Sequence, residues 1–525
     1  MLRLARNNCA QKQFVCNTKL PLTSTCWKSN VARTDQTAAE DASAVTTTTS
    51  STASSTTINH PKLVKVPALP FSGSLLPAHS KIPHPYDLAS IYQFWLGMRE
   101  KYGTFYQFGL PGVGVGLSGI CHVLHDPHEM AAILRQEGQY PFGAAQFQKS
   151  FTRFFQERNI SAGAIVQQGA AWKKMRRFIQ TDLLSPKAAA RYVPGILQGA
   201  EVASKGAKHY AEKGELNHYL NLASFDMFSN AMLGTLPKVS DPSSHTDPDE
   251  VRFCTAVATA LKLNSYMSTR ASEGVLNNIL GVKTKAYRKF EENWDISQST
   301  AVRKARDLYQ RRSSTKGISQ EEDNAYANQA FFRQASQDNV ELDNPVTMKE
   351  TEDIIGGLLS AGVDTTGGML SWKLLHLASS PKSQDKIYHE LQPTLSQGKL
   401  TRESLVLPYL NSCVRESHRL RNPIVTIPMK VLPEERLVHG QMLPKDSVII
   451  FDGYSTGMQQ KHFVEPVNEF HPERFSPEAV QERNTLFKNP FSDGARKCPG
   501  SRVASLEAVA FCAQLVLDYK MELPP

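Results

Sequence analysis

Cys498 has the surroundings best suited to chemistry. It lies in FSDGARKCPGSRVASLEAVAFCAQLVLDYK, after a turn and just before a long helix that reads as amphipathic. Gly494 and Gly500 let the backbone fold tightly around it, so that backbone N–H groups and the helix N-terminus stabilise an exposed thiolate. Such a thiolate is a metal ligand. The alternative for a lone cysteine is a buried structural thiol. A second constellation is AGVDTT, Ala361 to Thr366, inside an apolar helical run. Gly362, Asp364, Thr365 and Thr366 are poor choices for a helix interior, because each favours unfolding or competes for backbone hydrogen bonds. As chemistry, small Ala361 and Gly362 make room over a flat cofactor, while Asp364 and Thr365 relay protons. The alternative is a helix kink with a locally bonded threonine. Glu416-x-x-Arg419 shares one helix face, and Trp172-x-x-x-Arg176 sets an indole and a guanidinium one turn apart. Taken singly, these read as a weak surface ion pair and a cation–π contact.

The four pieces together resemble one family. Phe491-x-x-Gly494-x-Arg496-x-Cys498-x-Gly500 is similar, at every defining position, to the haem-binding signature of the cytochrome P-450 family. The resemblance implies that Cys498 is the axial ligand of haem b iron, with Phe491 packed beside the sulfur and Arg496 paired with a haem propionate. A thiolate on haem iron favours O–O cleavage, so O2 is the implied co-substrate. Asp364 and Thr365 then take the place of the family's acid–alcohol pair, with Ala361 and Gly362 beside them. Trp172 and Arg176 stand where the family holds a propionate, and Lys430 where related chains carry a basic propionate partner. Glu416 and Arg419, joined by Arg474 of HPERF, resemble the buried triad that supports the cysteine loop. EGQYPFG at 137–143, AGVDTT and LPYLNSCVRE resemble the mitochondrial, ferredoxin-fed branch. That branch implies an adrenodoxin-like ferredoxin and its NADPH-dependent reductase as partners, although Asn411 replaces a lysine common in the docking helix and Arg415 is kept.

The elements that must position these residues are mostly helices. Helical periodicity runs near 85–102, 127–136, 171–184, 187–213, 217–234, 250–263, 284–312, 347–380, 381–395, 409–420 and 502–519. Strand patterns occupy TFYQFGLPG and VGVGLSGICHVL, broken at Pro111-Gly112, and short runs near 424–451. Residues 311–345 are polar and acidic, with Glu321, Glu322, Asp323, Asp338 and Asp343, and read as exposed surface. The expected fold class is mainly α with a small β portion, a single large haem domain of the P-450 kind over 61–525. In the family a C-terminal β-hairpin follows the cysteine helix, whereas this sequence ends at MELPP and is expected to lack it.

The charge of +9 is concentrated at the start: residues 1–34 hold Arg3, Arg6, Lys12, Lys19, Lys28 and Arg33 and no acid, leaving 53 basic and 50 acidic residues elsewhere. That near balance gives little support for a nucleic-acid protein, and none is expected as a partner. The leader's basic, Ser/Thr-rich make-up predicts an organelle transit peptide over 1–41, mitochondrial on the matrix side of the inner membrane, or plastid as the alternative. Residues 42–60 read as a disordered Ser/Thr-rich linker. No run reaches the roughly 18 apolar residues of a membrane span, which leaves a soluble or peripherally membrane-bound protein. Cysteines are widely spaced, against disulfides or zinc. The function implied is insertion of one oxygen atom into an apolar sterol-, fatty-acid- or terpenoid-like substrate. The alternatives are a haem-thiolate isomerase or dehydratase, which has no use for Asp364 and Thr365, and a haem protein without catalysis.

Overall fold

A computed structural model describes residues 3–6, 64–65, 88–109, 120–143, 149–161, 166–270, 280–312, 319–336, 345–421, 429–459, 466–481 and 490–523, with 273, 276 and 277 besides. The linker and most of the leader lie outside the described residues, as does the Pro111-Gly112 break. All described residues belong to one unit.

Helices start where local chemistry satisfies their first N–H groups. Pro127, Pro186 and Pro248 each occupy the first helical turn, behind Asp126, Ser185 and Asp247 side chains that accept backbone N–H bonds. Thr347 and Glu350 form a capping box at the head of the central helix, Met348–Ala378. Gly214 and Gly234 close two helices in the left-handed conformation, φ 74° and 68°. The observed helices Leu88–Tyr102, Pro127–Arg135, Gly169–Leu183, Pro186–Lys213, Leu216–Leu233, Pro248–Thr269, Lys285–Arg312, Pro381–Leu391, Pro408–Leu420 and Ser501–Asp518 match the periodic stretches closely. Helices Lys149–Glu157 and Tyr326–Ala335 were not expected. The second corrects the reading of 311–345 as surface: Tyr326, Ala327 and Phe331 are buried in the main core.

Among the described residues nine short strands join the helices: β1 (Arg3–Arg6), β2 (Val64–Lys65), β3 (Phe105–Gly109), β4 (Ile120–Leu124), β5 (Met429–Val431), β6 (Arg436–Val438), β7 (Gln441–Leu443), β8 (Val448–Phe451) and β9 (Tyr519–Glu522). The largest sheet has the order β2-β3-β4-β8-β5, with β3 and β4 antiparallel and β4 and β8 parallel. β1 pairs antiparallel with β9, Arg3 opposite Glu522. A leader removed on import would therefore strip β9 of the strand it pairs with here.

The core is helical. The central helix packs against Leu216–Leu233, Lys285–Arg312, Pro408–Leu420 and the cysteine helix Ser501–Asp518. The cysteine helix is buried from Glu507 through Val516 without a polar face, which corrects its amphipathic reading. Its burial on all sides fixes the base of the loop that carries Cys498.

One buried charge in this core makes a test. Lys373, on the central helix, is 1% exposed, and its Nζ has no hydrogen-bond partner among the described residues. Burial lowers its pKa to about 7, opposed weakly by Cys512. An unfolded lysine titrates near about 10.4. Between those values the unfolded chain binds the extra proton, so Lys373 makes stability rise with pH. Lys373→Met is expected to stabilise the protein at pH 7 by on the order of 2 kcal/mol and to flatten that rise, as read by urea denaturation across pH 6–10. A loss of stability at pH 7 would contradict it.

Candidate functional site

The cysteine loop is built by local turns. Gly494 sits at φ +81°, a conformation that favours glycine. Lys497 N–H donates to the Gly494 carbonyl at 3.1 Å, and Cys498 N–H to that of Phe491 at 3.0 Å. Gly500, by contrast, has an ordinary φ of −82° as the cap of the cysteine helix. A Cβ there would stand 3.9 Å from the Cys498 sulfur, an ordinary van der Waals contact, so what places Gly500 at the site is its position beside the sulfur at the head of the helix. Burial pushes the Cys498 thiol up, while the Gly500 N–H, Arg176 and Lys497 draw it back toward the thiolate. Phe491 packs edge-on to His418, ring centres 5.7 Å apart. His418 is buried, and that burial holds its imidazole neutral, well below the usual histidine range. No spacing rule singles out His418.

A cationic wall adjoins the loop. Trp172 and Arg176, one turn apart on Gly169–Leu183, are both buried. Arg176 Nη1 donates to the Lys497 carbonyl at 2.6 Å, and its Nε is buried without a partner among the described residues. Arg496 stacks on the Trp172 ring at 4.3 Å and donates to the carbonyls of Pro141 and Gln167 and to Gln168 Oε1. Burial lowers its pKa to about 10, offset in part by Glu137. Gly143 is needed for this arrangement, because a Cβ there would come 2.4 Å from Arg496 Nη1. Lys430, on β5, is 4% exposed and pairs with Glu137 at 2.5 Å. Three cations with one carboxylate, and a buried guanidinium nitrogen left unbonded, fit a flat cofactor that brings further carboxylates.

The central helix carries the second constellation. Thr365 Oγ1 donates to the Ala361 carbonyl at 2.7 Å, so the local bond of the alternative reading is present. That bond fixes the hydroxyl while leaving its oxygen able to accept. Asp364 accepts from Asn221 Nδ2 at 3.4 Å. Gly362 does not open space above a cofactor: a Cβ there would meet the Phe228 ring at 2.3 Å, so its smallness serves the approach of Leu216–Leu233. Thr366 Oγ1 reaches Glu507 on the cysteine helix at 3.5 Å. Glu507 is fully buried, and desolvation raises its pKa well above the usual carboxylate range. It links the two helices that carry Asp364–Thr365 and Cys498, and it went unremarked in the sequence.

Glu416 accepts from Arg419 Nε and Nη2, both at 2.8 Å, from Arg474 Nε at 3.2 Å and from His471 N–H at 3.1 Å. All three members of the triad are buried.

The Cytochrome P-450 family model matches residues 68–525. The chain belongs to the cytochrome P-450 family. As a P-450 it is a haem monooxygenase, an enzyme that uses haem iron and O2. It is 24% identical over 476 residues to the mitochondrial cholesterol side-chain cleavage enzyme of Sus scrofa, covering 85% of this chain and 84% of that protein. It is also 24% identical over 424 residues to the mitochondrial sterol 26-hydroxylase of Mus musculus, 75% of this chain and 73% of the relative. The 2-hydroxyisoflavanone synthase of Glycyrrhiza echinata is equally similar, 24% over 477 residues, at 87% and 83% coverage. Among the described residues no three His, Cys, Asp or Glu side chains group as a separate metal site, and no helix is long and apolar enough to cross a membrane.

Proposed function

We propose that this P-450 binds haem b through the Cys498 thiolate and hydroxylates an apolar, sterol-like substrate with electrons from a ferredoxin in the mitochondrion. The observation that carries the reading is Cys498 itself, its sulfur beside the side-chain-free Gly500 and next to a buried cationic wall. When bound, the haem supplies O2 binding and O–O cleavage, favoured by its thiolate ligand. Trp172, Arg176, Arg496 and Lys430 receive the propionates, and Phe491 shields the sulfur from water. Thr365 Oγ1, held by Ala361, stands ready to accept and pass on a proton, and Asp364 supplies it. Six basic side chains without an acid in residues 1–34 support import of a 1–41 leader. Relatives named as mitochondrial sterol enzymes support both the compartment and the substrate class. Exposed Arg415 supports contact with an acidic adrenodoxin-like ferredoxin.

The reduced carbon monoxide difference spectrum tests the ligand: a Soret band in the thiolate position supports the reading, and an imidazole-type band sinks it. Reconstitution with ferredoxin, its reductase and NADPH against a panel of sterols, fatty acids and terpenoids tests the rest. Product formed without added electrons would point to a haem-thiolate isomerase or dehydratase instead. Thr365→Ala and Asp364→Asn are expected to slow product formation by about 10²-fold each, the usual weight of a placed proton donor. NADPH consumption should persist with hydrogen peroxide released, and full coupling in either variant would remove the relay.

A further inference from the structure

The pair formed by Glu137 and Lys430 is not explained by cofactor seating alone. The cation proposed above to face a haem carboxylate is already held by a protein carboxylate, and Glu137 and Lys430 are nearly out of water, at 8% and 4% exposure. The local chain is shaped for it. After the helix Pro127–Arg135, Gly138 adopts φ +73°, a left-handed turn that favours glycine, next to Glu137. From the other side the cysteine loop closes on the same carboxylate. A Cβ on Gly494 would lie 2.3 Å from Glu137 Oε2, so the loop backbone rests directly against it. Lys430 Nζ also reaches the Asp493 carbonyl, the neighbour of Gly494, at 3.4 Å. Glu137 further acts on Arg496, whose guanidinium it favours in the charged form. Its Oε2 has no hydrogen-bond partner among the described residues.

A buried carboxylate left half-satisfied is costly for stability, which argues against a role confined to holding the loop. We propose that Glu137 is a positioning residue of the haem site, which fixes Lys430 and Arg496 at the cofactor's edge and sets the charge felt by the iron. This rests on the haem-thiolate reading above. A fixed negative charge in a poorly solvated site favours the oxidised, more positive iron, and the lysine opposes it. Glu137 therefore holds the reduction potential down, and Lys430 holds it up.

The test is spectroelectrochemical titration of the purified holoenzyme. Glu137→Gln, which keeps the shape and removes the charge, should shift the reduction equilibrium toward the ferrous form three- to tenfold, an upward shift of about 28 to 59 mV for one electron. Lys430→Met should shift it by a similar factor the other way. The thiolate-type carbon monoxide band should survive in both. Potentials within twofold of the parent, or shifts of the same sign, overturn the proposal even if thermal stability falls. Should Glu137→Gln not retain haem, Lys430→Met alone decides by its sign. Absence of the thiolate band in the parent protein would be failure of the haem reading itself, a separate result.

Discussion

Replacing Cys498 with serine is expected to abolish the thiolate-type spectrum and to lower monooxygenase turnover by on the order of 10³-fold or more. The reason is electronic rather than steric, since the hydroxyl fits wherever the thiol does. Burial raises the Cys498 thiol, and the groups that favour its thiolate form, the Gly500 N–H, Arg176 and Lys497, offset part of that rise. A serine hydroxyl is far less acidic, and the same three groups cannot ionise it. Without the anionic sulfur the push that favours O–O cleavage is lost. Cys512 is the control, because it is buried in the helix that follows the Cys498 loop and burial raises its thiol to about 12. Cys512→Ala should keep the spectrum and cost only stability, about 1 to 2 kcal/mol for a small buried side chain. If Cys498→Ser kept a thiolate-type band, or if Cys512→Ala lost it, the ligand would have been misassigned.

What could be read in advance divides along physical lines. Helices with strong periodicity and capped starts were legible almost to the residue, as Thr347 with Glu350 shows at the central helix. The triad was legible only through the family resemblance, which joins Glu416–Arg419 to the distant Arg474, because the i,i+3 pair alone reads as a weak surface contact. Tyr326–Ala335 was hidden by its acidic flank, where Glu321, Glu322 and Asp323 form a separate short helix and draw attention from the buried Tyr326 and Phe331. Gly362 was misread because a small residue in a helix has two uses, and only the position of Phe228 decides between them. Glu137 was visible as part of a motif but had no partner in sequence, being 293 positions from Lys430, and a tertiary ion pair has no local signature. Glu507 and His418 are similar. Each sits among ordinary helix-forming residues, and only burial makes its polarity notable.

The triad sustains the largest stability effect expected in the protein. Glu416→Ala should destabilise it by about 3 to 5 kcal/mol, the cost of stranding buried charge. Glu416 has no exposure to solvent, and its carboxylate takes two bonds from Arg419, one from Arg474 and one from the His471 backbone. Removing it leaves two guanidinium groups buried away from solvent without their shared acceptor. The remaining bonds do not release them, because Arg419 also donates to the carbonyls of Gly457 and Val467, and Arg474 to that of Pro466. Those carbonyls belong to the segment that leads into the cysteine loop, so the strain should reach the cofactor, and haem content should fall with stability. The measurements are urea denaturation and haem content per chain. Replacing Glu416, Arg419 and Arg474 together by Met, Leu and Leu separates the charge from the packing: it removes every stranded charge and should recover most of the stability lost by Glu416→Ala. Haem content should stay low in that triple variant, since the apolar replacements cannot bind the carbonyls of Gly457, Val467 and Pro466. A loss below about 1 kcal/mol for Glu416→Ala, the range of a solvated surface pair, would mean that the triad is not the support of this loop.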